Sequence, residues 1–365
     1  MLAHGGERSG ERLNAPHVSA RPGEPLVSLE RVVKEFPVKS GGLFTRSREK
    51  VHAVSDVSIE VRRGETLSLV GETGCGKSTL ARCVMRLHDL TSGRVVFDGT
   101  DITAAASHAE LQPFRRRMQM VFQDPYGSLN PRRRVGSIIG DPFDIHGLAR
   151  GAERLTRVHE LMALVGLNPE HYNRFPGDFS GGQRQRIGIA RAIALHPDLI
   201  VCDEPVSALD VSIRAQILNL LANLQRELGL TYLFISHDLS VVRHVSNRVA
   251  VMYLGRVVEV APVDDLYEHS RHPYTRALLS AMPVPDPDRA AAREPIVLSG
   301  DPPSPLDPPS GCRFHPRCPR AEARCASEAP VLAPAPGDAA EHLTACHFPL
   351  ADHEVLAPTT VGQPA

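Results

Sequence analysis

The residues best suited to chemistry are the nine consecutive ones Gly71, Glu72, Thr73, Gly74, Cys75, Gly76, Lys77, Ser78 and Thr79. Three glycines let the backbone curl so that successive amides point inward at a phosphate, where a Cβ would block the approach. Lys77 supplies a cation for β- and γ-phosphate oxygens, and the Ser78 hydroxyl is of the kind that ligates Mg2+. An apolar run precedes the nine (Thr66 to Val70), and a helical pattern follows from Lys77. The loop therefore sits at a strand-to-helix turn, where the positive end of the helix faces the same anion. This predicts an ATP-type phosphate loop rather than an ordinary glycine-rich turn.

A second constellation is Leu199-Ile-Val-Cys-Asp-Glu-Pro205. Four apolar residues followed by Asp203 and Glu204 put two carboxylates at the tip of a buried strand, where α/β folds bind ligands. Asp203 is the candidate Mg2+ ligand, directly or through water, and Glu204 the candidate general base for an attacking water.

The elements needed to position these residues are legible in outline. Leu26 to Phe36 and Val51 to Val61 read as strands with a two-residue period, which suits an antiparallel sheet with one wet side. Val95 to Phe97 with Asp98-Gly99 reads as a hairpin edge. The helix after the loop is expected to reach about Leu87. Short apolar runs at Leu199 to Cys202, Tyr232 to Ile235 and Val249 to Met252 alternate with helical stretches, the pattern of a parallel sheet. From about 124 to 178 the chain reads as an inserted helical subdomain, with Leu155, Val158, Leu161, Met162 and Val165 tracing one face. The expected fold class is α/β, with an antiparallel β subdomain, a helical subdomain and a C-terminal cysteine-bearing extension. The expected division is a disordered tail (1–24), a nucleotide-binding unit (25–262), the extension (263–350) and a second tail (351–365). Proline density between Pro283 and Pro309 marks an extended linker.

Composition narrows the function. The 365 residues hold 41 basic against 42 acidic side chains, which leaves no polyanion-binding footprint despite local clusters at Arg115 to Arg117 and Arg132 to Arg134. Residues 1–24 lack the apolar core of a secretory signal, and no segment approaches the length of a membrane span. Seven cysteines in such a chain are expected as reduced thiols or metal ligands. Cys75, Cys83 and Cys202 fall in or beside core elements and read as buried small side chains.

One further run decides the family it resembles: Phe179-Ser-Gly-Gly-Gln-Arg-Gln-Arg186, 23 residues ahead of Asp203 counted from Ser180. Together with the loop and the acidic strand end, it resembles the ATP-binding cassette ATPases. The resemblance implies that two cassettes pair head to tail, so that Ser180, Gly181, Gly182 and Gln183 of one cover ATP held by the phosphate loop of the other. It also implies roles for Gln123, at the metal and the attacking water, and for His237, hydrogen-bonded to the γ-phosphate. Ser207 to Asp210 would contact the facing cassette, and Phe36 would stack on adenine.

Within that family, Val121 to Arg132, His272 to Leu278 and Gly311 to Pro319 resemble the ATPase subunits of bacterial oligopeptide, dipeptide and nickel importers. The stretch at 36–39 and the insert Gly41 to Phe44 are more like the second of the two paired ATPases. The resemblance implies a sister ATPase, two permeases, an extracytoplasmic binding protein and a peripheral place on the cytoplasmic face of the inner membrane. Cys312, Cys318, Cys325 and Cys346 could hold a 4Fe-4S cluster, Zn2+ or no metal at all, with His315 and His347 as substitute ligands. Similar segments in this importer group are associated with the cluster, and the lack of any Cys-x-x-Cys pair speaks against a zinc knuckle. Two other readings remain: a soluble cassette ATPase acting on nucleic acid or ribosomes, and a non-hydrolysing regulatory cassette.

Overall fold

The computed structural model describes residues 23–38, 49–105, 107–124, 126–282, 296–298, 300–352, 354 and 356. The tail before residue 23, the insert Gly41 to Phe44, the linker residues 283–295 and the end from 357 lie outside the described residues.

β1 (Pro25–Pro37) and β2 (Lys50–Arg62) pair antiparallel. In β2 the residues Val57, Ile59 and Val61 are buried while Asp56, Ser58 and Glu60 are exposed, the two-residue period read from the sequence. β3 (Thr66–Val70) is buried at every position and leads into the phosphate loop, after which α1 (Lys77–Val84) begins. α1 stops at Val84 rather than Leu87, because Arg86 takes φ 51° and its guanidinium donates to the carbonyls of Ile102 and Thr103. β4 (Ser92–Phe97) and β5 (Thr100–Asp101) turn on Asp98 and Gly99, both at positive φ, and complete an antiparallel sheet of order β2-β1-β4-β5.

The helix α2 (His108–Arg117) was not evident in the sequence; Ser107 caps it by accepting from the Glu110 amide. Its Arg117 pairs with Asp98 and Asp198, so part of this basic run is tied into the fold. β6 (Met118–Val121) follows, then α3 (Val135–His146) and α4 (Gly151–Leu164). On α4 and its cap Val158, Leu161, Met162 and Val165 are buried as read, whereas Leu155 is 41% exposed. α5 (Gly181–Ile193) packs against α3 and α4, so the helical layer continues past the expected limit at residue 178.

β7 (Leu199–Asp203), α6 (Val211–Leu228), β8 (Thr231–Ile235), α7 (Leu239–Val245) and β9 (Arg248–Tyr253) build the parallel sheet, order β9-β3-β8-β7-β6. Every residue of β7 and β8 is buried. Ile200, Cys202, Tyr232 and Phe234 enter the core shared with the helical subdomain, and Leu199, Val201, Leu233 and Ile235 the core under α1 and the antiparallel sheet. Two wet-free faces explain why these strands read as continuous apolar runs.

β10 (Arg256–Pro262) turns back antiparallel to β9 and is followed by α8 (Val263–His269) and α9 (Pro273–Ser280). The extension adds a 3-10 turn at His315–Arg317, α10 (Ala323–Ser327), β11 (Ala333–Pro334) and β12 (Leu343–Thr344). β12 pairs with β10, so the extension widens the main sheet instead of hanging beside it. Phe314 is 1% exposed and joins Tyr253 and Tyr274 in a third core. Of the expected second tail (351–365), the described residues 352, 354 and 356 are tied to the fold. Asp352 pairs with Arg271, Glu354 pairs with Arg320, and Leu350 and Leu356 are buried.

Because Phe314 fills that core with no polar compensation, Phe314→Ala should cost about 3–5 kcal/mol of stability. Thermal and denaturant unfolding of the full chain measure it, and a loss below about 1 kcal/mol would show the third core to be dispensable.

Candidate active site

The phosphate loop is shaped by backbone that approaches too closely for side chains. Gly71 has φ 147° and Gly76 φ 107°, and a Cβ on either would stand 2.1 Å from a carbonyl oxygen, of Met252 and Ala53 respectively. Lys77 is 6% exposed and folds back on the loop, its Nζ donating to the carbonyls of Gly71 at 2.8 Å and Glu72 at 2.9 Å. Thr73 and Gly74 are exposed at the rim, while Cys75 is buried against Lys77, with Ser78 and Thr79 half-buried in the first turn of α1.

At the tip of the sheet the Ser78 hydroxyl donates to Asp203 Oδ1 at 2.8 Å. Asp203 is 3% exposed, and burial pushes its carboxyl above the usual range although the Ser78 bond pulls the other way. A buried anion beside a hydroxyl oxygen is a hard donor pair of the kind Mg2+ takes. The next residue, Glu204, turns at φ 48° and so throws its side chain out of the strand line. Its Oε2 receives the Gln123 Nε2 amide at 2.9 Å and stands 3.3 Å from His237 Nδ1. Gln123, Glu204 and His237 follow β6, β7 and β8, which are neighbours in the sheet.

Ser180 caps α5 in a reciprocal box: its hydroxyl accepts from the Gln183 amide at 3.3 Å and its own amide donates to Gln183 Oε1 at 2.9 Å. The first-turn amides of Gly181 and Gly182 have no intrahelical acceptor. A Cβ on Gly182 would meet Ile213 Cγ2 at 2.4 Å, so this glycine lets α5 pack on α6. Asp210 stands at the N-cap position of α6 without a side-chain capping bond and is exposed, and Ser207 Oγ donates to the Glu204 carbonyl at 3.1 Å. Phe36, half-buried on β1, meets His88 edge-on at 5.4 Å, with the Lys34 ammonium 4.8 Å from its ring.

Comparison with known proteins decides the family. The ABC transporter profile matches residues 54–207, and the oligopeptide/dipeptide transporter C-terminal region matches 258–325. The chain is 54% identical over 324 residues to a probable peptide ABC transporter ATP-binding protein of Sinorhizobium fredii, covering 89% of this chain and 90% of that one. The chain belongs to the ABC transporter ATP-binding proteins. This cassette is also 52% identical over 325 residues to the oligopeptide transport ATP-binding protein AppF of Bacillus subtilis, covering 89% and 98% of the two chains. Among solved structures it resembles the dimeric ATP-binding cassette MJ0796 in a post-hydrolysis state bound to ADP and Pi, at 30% identity and TM-score 0.58. That likeness covers 65% of this chain and 98% of the other. Among the described residues no helix of the cassette is long and apolar enough to cross a membrane.

The extension departs from expectation in one respect. Cys312, Cys318, Cys325 and Cys346 line one small cavity with His272, His315 and His347. Yet among the described residues no group of three or more His, Cys, Asp or Glu side chains is arranged to hold a metal ion, so the expected 4Fe-4S or zinc site is not preformed. Burial pushes the Cys312 thiol up, Cys318 to about 11 and Cys346 to about 12. His315 and His347 each spend one ring nitrogen on a backbone carbonyl.

Sequence reasoning missed the residues that hold the phosphate loop from outside. Tyr274 accepts from the Glu72 amide, Arg317 pairs with the Glu72 carboxylate, and the Gly255 amide donates to the Cys75 carbonyl. Nothing in local spacing signals them, since each acts across a long stretch of chain.

Gly76→Ala should break the loop without unfolding the cassette. We expect ATP affinity to fall at least about tenfold by equilibrium titration with unchanged far-ultraviolet circular dichroism; undiminished binding would contradict the close approach to Ala53.

Proposed function

We propose that this cassette is the ATP-hydrolysing subunit of a bacterial peptide importer. In this reading it lies at the cytoplasmic face of the inner membrane, opposite a sister cassette and beneath two permeases fed by an extracytoplasmic binding protein. The names of the two relatives and the match of the C-terminal region support the peptide assignment. The observation that carries the enzymatic part is the convergence of Gln123 and His237 on one oxygen of Glu204. A regulatory cassette without hydrolysis has no need of such a constellation.

Lys77 leaves the loop carbonyls for the β- and γ-phosphates, whose oxygens also meet the amides of Gly74 and of Gly76 to Thr79. Mg2+ held through Ser78 and Asp203, with Gln123 reaching it, would neutralise the same oxygens. Glu204 accepts the proton of the attacking water, Gln123 orients that water, and His237 donates to the γ-phosphate. Phe36 stacks on adenine. Ser180 and Gln183 hydrogen-bond each other while the first-turn amides of Gly181 and Gly182 have no intrahelical acceptor, which suits donors offered to the nucleotide of a facing chain, with Asp210 at the same seam. Phe122 and Tyr126, 39% and 63% exposed beside Gln123, offer an apolar edge for a permease.

The cysteine cavity suits a 4Fe-4S cluster better than zinc. Four cysteines around one cavity match the ligand count of a 4Fe-4S cluster, and the absence of a Cys-x-x-Cys pair speaks against a zinc knuckle.

In the assembled transporter, Glu204→Gln should retain ATP binding and lower turnover and peptide uptake by about 100-fold or more. Hydrolysis at the parent rate would remove Glu204 from the role of base. Anaerobic purification should yield about four iron and four sulfide per chain, lost in Cys318→Ser; a metal-free protein of full stability would end the cluster assignment.

A further inference from the structure

The phosphate loop carries a carboxylate of its own. Between Gly71 and Thr79 the ionised side chains are Glu72 and Lys77, so the loop itself offers no net positive charge to a triphosphate. An uncancelled carboxylate at the second position would repel the nucleotide. The cancelling charge comes from the extension. Arg317 Nη1 lies 3.1 and 3.2 Å from the two carboxylate oxygens of Glu72, with the Arg317 side chain 9% and the Glu72 side chain 27% exposed.

Arg317 is held firmly enough for this. It ends the 3-10 turn that lies between Cys312 and Cys318, and Phe314 of the same segment packs on Tyr274 at 5.4 Å between ring centres. The Tyr274 hydroxyl accepts from the Glu72 amide at 3.0 Å, fixing the backbone whose side chain Arg317 engages. Arg313, also in the segment, donates to the Leu254 carbonyl and the Ser55 hydroxyl. Those bonds steady the turn whose Gly255 amide reaches the Cys75 carbonyl at 2.8 Å. A solvated surface pair would be screened into irrelevance, but this pair is shielded on the arginine side.

We propose that Arg317 is a positioning residue for ATP: it neutralises Glu72 and holds that carboxylate toward the extension, so that nucleotide affinity depends on the extension being seated on the cassette. The proposal rests on the loop binding ATP and is independent of what fills the cysteine cavity.

Steady-state ATPase measurements on the full chain in its assembled transporter test it. Arg317→Met, which keeps the stem and removes the charge, should raise the KM for ATP about tenfold with kcat within about twofold, and the rise should grow at low ionic strength. Arg317→Lys should recover most of the loss. The deciding protein is the double variant Arg317→Met with Glu72→Gln, whose KM should return close to that of the parent, because no bare carboxylate is left in the loop. A purely structural staple predicts the opposite, a double variant at least as impaired as the single one, and that result or an unchanged KM in Arg317→Met would overturn the proposal. Glu72→Gln alone keeps it open to refutation if Arg317→Met fails to fold: this variant should bind ATP at least as tightly as the parent, and weaker binding would refute the charge argument. Arg320→Met, which loses a different ion pair of the extension, should leave KM where it was.

Discussion

A loop whose amides must face inward for a ligand cannot use those amides to hold itself in shape. That constraint accounts for much of the architecture around residues 71 to 79. The loop is held instead by its carbonyls and its outer edge: Lys77 ties the carbonyls of Gly71 and Glu72, and the Gly255 amide ties that of Cys75. Two loop amides are exceptions: that of Glu72 turns outward to the Tyr274 hydroxyl, and that of Cys75 donates to the Glu72 carbonyl. The glycines do the complementary work of letting Met252 and Ala53 come within a distance no side chain would tolerate. In the proposed binding mode Lys77 exchanges these carbonyls for phosphate, so ligand entry would replace two of the bonds that keep the empty loop wound. The bonds from Gly255, Tyr274 and Arg317 remain while that exchange takes place.

The second half of the site depends on the sheet. β6, β7 and β8 are adjacent and parallel, so their carboxyl ends present Gln123, Glu204 and His237 together. The left-handed turn at Glu204 directs its carboxylate toward the other two. Such a backbone costs on the order of 1–3 kcal/mol and persists where surroundings over-determine it. Here the Glu204 amide is bonded to the Ile235 carbonyl and the Glu204 carbonyl receives the Ser207 hydroxyl, so both ends of the strained residue are fixed. Arg214 on α6 then pairs with Asp238, the neighbour of His237, at 2.7 Å, linking the helix behind Asp210 to the same cluster.

What could be read from the sequence was what local spacing encodes. The loop, the buried strands β7 and β8 and the acidic strand end were legible because each is a short run whose chemistry and periodicity stand alone. α2 was not, because Pro113 and a polar composition hide a helix held mainly by the Ser107 cap. Leu155 was assigned to the core by its spacing but lies at the edge of the buried stripe, where a few tens of degrees of helix rotation separate buried from exposed. The four late cysteines line one cavity, but spacing carries no information on whether the thiols stand at ligand geometry, and among the described residues they do not form a metal-binding group. The pairing of Glu72 with Arg317 spans 245 residues and leaves no periodic trace at all.

These long-range ties also decide how events at the nucleotide can leave it. Gln123 is bonded to Glu204 on one side, and on the other the chain runs through Tyr126, whose ring lies 4.0 Å from the Arg184 guanidinium. Arg184 in turn donates to the carbonyl of Pro176, just ahead of the Ser180 cap of α5. Gln123 and the start of α5 are thus linked through a stacked cation and a charged hydrogen bond, outside the sheet. Since α5 packs on both α3 and α4, that link ends on the helical layer rather than on a single side chain. The same layer carries exposed Ile145, Leu155 and Phe175, so the helices tied to Gln123 also have apolar surface left to bury.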